Sequence, residues 1–276
     1  MSIDLPKALV IRAAGTNCDV EVCRGFELAG ASAETVHLDT LIRIPALLDS
    51  ADLIAFPGGF SYGDDVASGR IFAMKLKERL WPALKNTVAR GVPMIGICNG
   101  FQALVQVGLL PGPLGNETWN DQPPQQRLSL QQNVGGRYVC RWVGMHYEPH
   151  SVCLWTKGMS SMFDSATNDD LQMLPVGHGE GRITPLDETI IPKLESAGQV
   201  VVRYKDNYNG SALAVAGVCD STGLIFGLMP HPDRYLAWTR HPHWTRLPRE
   251  LQSGDTPGLK MFRNAVNHVN SVAAMS

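Results

Sequence analysis

The sequence predicts an α/β fold, a mostly parallel sheet with helices on both faces plus an antiparallel extension. Over the first 110 residues, apolar strand-length runs alternate with helix-compatible stretches, the pattern of right-handed βαβ units. Two of those runs close on glycine-bearing turns, Pro57-Gly58-Gly59 and Gly96-Ile97-Cys98-Asn99-Gly100, and ligands on such sheets bind at the carboxyl ends of strands. Beyond Leu110 the helical period gives way to clustered short strands and turns, which reads as an extension of the same domain rather than a new one. Residues 1–276 are therefore expected to form a single domain, with irregular loops at about 111–132 and 236–256.

Taken in order, Lys7 to Arg12 reads as a first buried strand, followed by a turn and a helix from Val20 to Ala29 with Asn17 or Asp19 as its cap. Further strands are expected at 34–38 and 52–56, then one long helix from about 71 to 89, a strand leading to Cys98 and a helix from Phe101 to Val107. The Pro-, Gly-, Gln- and Asn-rich stretch 111–132 carries no hydrophobic period and reads as loop. β-like runs follow at 137–143, 151–156, 199–204, 211–218 and 224–229. Pro257 to Val272 makes a terminal helix capped by Thr256, with Pro257 at its first position.

Composition excludes several classes of function. With 24 Lys and Arg against 26 Asp and Glu, the net charge of −2 offers no basic field for nucleic acid. The apolar runs are far short of a membrane span, and the first residues show no basic segment leading into an apolar stretch, so no secretory signal is expected. Six cysteines lie at 18, 23, 98, 140, 153 and 219 without paired or zinc-like spacing. The expectation is a cytoplasmic protein with free thiols.

The chemistry is expected at Cys98. A strand ending in Gly-Ile-Cys-Asn-Gly and followed by a helix is the layout of a nucleophile elbow, with cysteine in place of serine. The tip residue of such a turn is strained, its neighbours must be small, and the unpaired N–H groups of the helix favour a thiolate. A lone cysteine at a strand end is ordinarily just a buried small residue; the glycines on either side favour the nucleophile. A nucleophile needs a base and the base an orienting group. His231 follows a strand after one proline, and Asp233 lies where an extended chain would point it the same way. Gly59 can aim a backbone N–H at a developing oxyanion, with Asn99 N–H as the second donor. His241-Pro-His243 lacks a third ligand and reads as a surface loop, so no metal site is expected. Asp64-Asp65 reads as solvated loop or helix capping, and His178-Gly-Glu180-Gly-Arg182 as a tight turn with structure and function evenly weighed.

Five segments ordered along the chain, 15–19, 57–64, 96–102, 178–182 and 229–234, give the sequence a resemblance to the class I (triad) glutamine amidotransferases. Within that family it is most similar to the glutaminase subunits of phosphoribosylformylglycinamidine synthases of purine biosynthesis. The resemblance implies a flavodoxin-like amidotransferase fold and hydrolysis of L-glutamine through a Cys98 thioester, with His231 and Asp233 completing the triad and Gln102 contacting substrate. It also implies ammonia delivery to a large ATP-binding synthase subunit, with a small accessory subunit as a further candidate partner. ATP and magnesium would belong to that partner, and this chain would carry no cofactor; it shows no Walker-type phosphate loop. Asp233 departs from the glutamate usual at its position in the family, being one methylene shorter. A stand-alone γ-glutamyl hydrolase and a non-catalytic regulatory module are the competing readings.

Overall fold

The computed structural model describes residues 5–163 and 169–275. Its first half alternates as β1 (Lys7–Arg12), α1 (Asp19–Ala29), β2 (Ser32–His37), α2 (Leu38–Arg43), β3 (Leu53–Phe56), α3 (Arg70–Arg79), α4 (Trp81–Ala89), β4 (Met94–Ile97) and α5 (Asn99–Val107). Its second half runs through β5 (Leu128–Gln132), β6 (Val139–Tyr147), β7 (Met173–His178), β8 (Glu180–Pro185), α6 (Ile190–Ser196), β9 (Val200–Tyr204), β10 (Val215–Cys219), β11 (Ile225–Leu228) and α7 (Pro257–Ala273).

One sheet holds nine of these strands in the order β2-β1-β3-β4-β11-β10-β9-β6-β7. Pairing is parallel from β2 through β11 and antiparallel from β11 through β7. The residues explain which strands are central. β3, β4 and β11 are short and apolar throughout, and every residue is buried, as strands covered on both faces must be. β2 is mostly polar and exposed and lies at the edge. Helices α1 and α7 pack together, as do α3 and α5. The α1–α7 seam is close because Gly25 leaves room for the Phe262 ring, which stands edge-on to Phe26 at 5.0 Å. β5 and β8 form a separate antiparallel pair.

Several sequence expectations are corrected. The long helix over 71–89 is two helices, α3 and α4, broken at Leu80 (φ −125°, ψ −1°). Pro82 is the cause: it has no N–H to give to residue 78 and its ring crowds that carbonyl, so it sits in the first turn of a new helix. Residues 151–156 are no strand but a loop ending in a single 3-10 turn, Leu154–Thr156. Their backbone bonds go to loop carbonyls at Gly198 and Gly223, and Trp155 turns inward to donate to Leu224 O. The end of the expected loop 111–132 is strand β5. The antiparallel extension begins one strand later than the clustering suggested, because β11 pairs parallel with β4. The Thr256 cap of α7 is as expected, its hydroxyl accepting from Leu259 N–H. No helix among the described residues is long and apolar enough to cross a membrane.

Candidate active site

Four adjacent parallel strands, β1, β3, β4 and β11, end on the same side of the sheet, and the loops leaving them converge. β1 leads to Asn17 and Cys18, β3 to Gly58 and Gly59, β4 to Cys98, and β11 to His231. The chain order reverses direction between β1 and β3, so the site lies beside a topological switch point.

Cys98 stands between β4 and α5 at φ 51°, ψ −106°, a conformation that costs a non-glycine residue free energy and is held by its surroundings. Cys98 N–H donates to Leu228 O at 2.8 Å, tying the turn to β11. A Cβ on Gly100 would lie 1.8 Å from Phe56 O, and one on Gly96 would meet Leu104 and the Gly100 backbone. Only glycines allow the helix to start this close to β3 and β4. The thiol is buried beside Gly177 O at 3.8 Å, at the start of a helix whose first-turn N–H groups lack intrahelical acceptors.

Gly59 (φ 145°) is wedged against the β1 loop, where a Cβ would be 2.7 Å from Gly15 O. The two backbone bonds of that contact, Asn17 N–H to Gly58 O and Phe60 N–H to Gly15 O, leave Gly59 N–H out of the pairing. Cys18 N–H also donates to Gly58 O, so the β1 and β3 loops are clamped together.

His231 is placed by its own N–H, which donates to Pro175 O at 2.8 Å. Its Nδ1 lies 3.3 Å and 3.5 Å from the two oxygens of Asp233, and both side chains are buried. That is an ion pair with a long hydrogen bond, since charge-assisted N–H···O contacts ordinarily fall near 2.7–2.9 Å. Burial alone would pull the imidazole's pKa down; the charges of Asp233 and of a Cys98 thiolate outweigh it and raise the value well above 6.5. His178 shows the opposite balance. Burial, helped by the His231 charge, lowers it to about 4, so it is neutral at pH 7 and bonds Tyr208 through Nε2 at 2.6 Å.

Beneath the elbow runs a buried polar network. Asn99 Oδ1 accepts from Ser61 N–H, and its Nδ2 donates to Asp64 Oδ1 and to Gln102 Oε1, both at 3.0 Å. Gln102 Nε2 donates to Glu180 O at 2.5 Å, while Glu180 Oε2 accepts from Ser68 N–H. Asp64 also accepts from Ser68 and from Gly69 N–H just ahead of α3. Burial raises the Asp64 carboxyl's pKa; bonds from Ser68, Gly69 and Asn99 oppose the shift, and Glu180 adds to it.

Set against known proteins, residues 5–269 match the CobB/CobQ-like glutamine amidotransferase domain. The chain belongs to this glutamine amidotransferase family. Among curated relatives, the phosphoribosylformylglycinamidine synthase subunit PurQ of Dehalococcoides mccartyi is 38% identical over 273 residues, covering 96% of this chain and 98% of the relative. The protein of the same name from Methanococcus maripaludis is 37% identical over 287 residues, with 96% and 98% coverage. A chain in the structure of PurLQS from Thermotoga maritima superimposes with a TM-score of 0.69 at 29% identity, covering 96% of this chain and 99% of that one.

For an amidotransferase, the sequence-predicted residues are arranged as follows. Cys98, His231, Asp233, Gly59 and Asn99 all lie on the converging loops or at the start of α5. Gln102 is 3% exposed with both ends of its amide bonded to protein, which makes it a strut between α5 and the 178–180 turn. Asp64 is a half-buried part of that network and helps cap α3, and is not a solvated loop residue. His241 is not on a surface loop: it is 1% exposed, with Nδ1 accepting from His243 N–H and Nε2 facing Asp170 O, and it packs on Trp142 and Tyr235. Both imidazole nitrogens are used by backbone groups, so a hydrophobic slot can hold it. Among the described residues all six cysteines are free.

Sequence reasoning assigned no role to two residues at the amidotransferase site. Cys18 and Arg234 meet across the β1 and β11 loops, where Arg234 Nη2 donates to Cys18 Sγ at 3.2 Å. Cys18 also stands beside His231 and Asp233, one side-chain sulfur, nitrogen or oxygen atom of each lying within 4.8 Å of the others. No spacing rule finds such a group, because its members stand at opposite ends of the chain.

Proposed function

We propose that the chain is the glutaminase subunit of a phosphoribosylformylglycinamidine synthase in de novo purine biosynthesis. It hydrolyses L-glutamine to glutamate and ammonia and passes ammonia to a large ATP-dependent synthase subunit, which converts formylglycinamide ribonucleotide to the amidine. The observation that carries this is the elbow: Cys98 at positive φ between two close-packed glycines, with the charged-form-favouring His231 on the neighbouring strand end. The relatives' shared name supports the assignment to a synthase.

In this mechanism the Cys98 thiolate attacks the side-chain amide carbon of glutamine. The N–H groups of Gly59 and Asn99 hold the oxyanion of the tetrahedral intermediate. The His231 imidazolium gives a proton to the departing nitrogen, ammonia leaves, and a γ-glutamyl thioester remains on Cys98. The neutral imidazole then takes a proton from water, whose oxygen attacks the thioester carbon and releases glutamate. Asp233 stabilises the imidazolium that enters the first step and is re-formed in the second, and holds the ring in place while it is neutral. Gln102, already bonded inside the protein, contacts substrate through the free lone pair of its carbonyl. The chain holds no cofactor of its own; ATP and magnesium bind the synthase subunit, a small accessory subunit completes the complex, and the assembly is cytoplasmic.

The test is Cys98→Ala in the complex reconstituted with the synthase. Amidine formation from glutamine should be lost, while formation from added ammonium salt persists. Glutamine-dependent turnover close to wild type would remove Cys98 from the reaction, and full glutaminase activity without any partner would favour a stand-alone γ-glutamyl hydrolase.

A further inference from the structure

Cys18 is 1% exposed, at the position preceding α1. Its place is set by backbone: its N–H and that of Asn17 both donate to Gly58 O, and Asn17 Oδ1 accepts from its thiol at 3.1 Å. The sulfur therefore has little freedom to move. Two cationic groups gather around it. Arg234 Nη2 donates to Sγ at 3.2 Å, and the His231 imidazole lies within the 4.8 Å that encloses Cys18, His231 and Asp233. Gly58 lies against both sulfur and ring; a Cβ there would lie 2.5 Å from His231 Cε1 and 3.3 Å from Cys18 Sγ.

Asp233 leaves work for such a neighbour. At 3.3 Å and 3.5 Å from Nδ1 its two oxygens are too distant to fix the ring as one short hydrogen bond would. One Asp233 oxygen, Oδ1, has no hydrogen-bond partner although it is buried. An unshielded guanidinium close by would also disfavour the imidazolium by like-charge repulsion.

We propose that Cys18 is a positioning residue of the reaction, its sulfur holding the His231 imidazole toward Cys98 together with Asp233 and drawing the Arg234 guanidinium to itself. The inference rests on the proposed roles of Cys98 and His231. The interaction of Cys18 with the ring also favours the imidazolium form, in the same direction as Asp233 and Cys98. The charged and titratable groups around that ring are Asp233 on its own turn, Cys98 at the start of α5, Cys18 ahead of α1, Arg234, His178 at the end of β7, and Tyr138 ahead of β6.

The experiment compares Cys18→Ala, Cys18→Ser and Asp233→Glu, singly and combined, in the complex with its synthase. Removing one acceptor from a charged group should lower glutamine-dependent kcat by roughly ten- to a hundredfold with little change in KM. The limb of the kcat–pH profile that follows the imidazole should move to lower pH. Cys18→Ser, which keeps an acceptor, should recover most of the rate, and in the Asp233→Glu background the cost of Cys18→Ala should shrink because the longer carboxylate reaches the ring. A Cys18→Ala enzyme with wild-type kcat and pH profile overturns the proposal. So does a serine variant as impaired as alanine, which would make the sulfur mere packing. Failure of the underlying reading shows separately, as glutamine-dependent turnover by Cys98→Ala.

Discussion

At the scale of single residues, the site depends on missing side chains as much as on present ones. The Cys98 backbone is held at positive φ only because α5 can start against Phe56, and the contact that permits this is the bare Cα of Gly100. A Cβ there would fall 1.8 Å from Phe56 O, which is backbone in a buried central strand and cannot swing aside. Gly100→Ala should therefore destabilise the protein by about 3 kcal/mol, the upper end of overpacking costs, seen as a lower midpoint in denaturant unfolding. It should also abolish glutaminase turnover in whatever fraction still folds, because any relief of the clash must move α5 and with it Cys98. Unchanged stability would mean that the elbow has slack the close contacts deny. This requirement was legible in the sequence: glycines bracketing a cysteine between strand and helix are a local pattern with a local cause. The Cys18–Arg234 contact was not legible, since it joins the first and last parallel strands of the site and no residue near either one announces it.

At the scale of elements, α5 does more than carry Cys98. Through Gln102 it is pinned to the turn between β7 and β8, and through Asn99 to the loop after β3. Three segments distant in the chain are thus fixed by one buried network, and such networks are costly when half satisfied. Gln102→Leu keeps the volume and removes both bonds. It leaves the Glu180 carbonyl without that donor and takes from Asn99 Nδ2 one of its two acceptors, for a cost of about 1–3 kcal/mol in stability. Turnover should fall with it, because Gly177, whose carbonyl lies beside Cys98, is the next-to-last residue of β7 and leads straight into that turn; a variant with wild-type stability and rate would show the strut to be idle. Element by element, what the sequence conveyed follows the reach of the forces. The Thr256 cap of α7 and the break at Pro82 are local, and the break was there to be read in Trp81-Pro82. The run 151–156 looked like a strand because Val152 to Trp155 make a short apolar run of strand length, yet a strand also needs a partner, and here the waiting carbonyls belong to turns.

At the scale of the whole molecule, the parallel half was predictable from alternation because each βα unit is contiguous, while the strand order of the second half depends on pairings between distant segments. That second half brings His178 next to the site, and its consequence for stability is global. Folded, the His178 imidazole has its pKa lowered to about 4 by burial and, secondarily, by the His231 charge; unfolded, it returns to about 6.5. Above pH 6.5 neither state binds the proton and His178 has no effect. As pH falls from 6.5 to 4 the unfolded chain takes up a proton that the native chain refuses, so stability drops. The loss levels off below 4, where both states are protonated, and over the whole window it amounts to about 3 kcal/mol. His231, raised well above 6.5, acts in the other direction and elsewhere: its contribution is complete below 6.5 and fades as pH rises toward its folded value. The His178 part is isolated by subtraction. Urea midpoints of wild type and His178→Gln, measured from pH 7.5 to 4, should diverge: wild type loses stability as the acid side is approached and the glutamine variant loses about 3 kcal/mol less. Parallel curves would mean that the native state protonates His178 as readily as the unfolded chain does, and that burial does not keep the ring neutral.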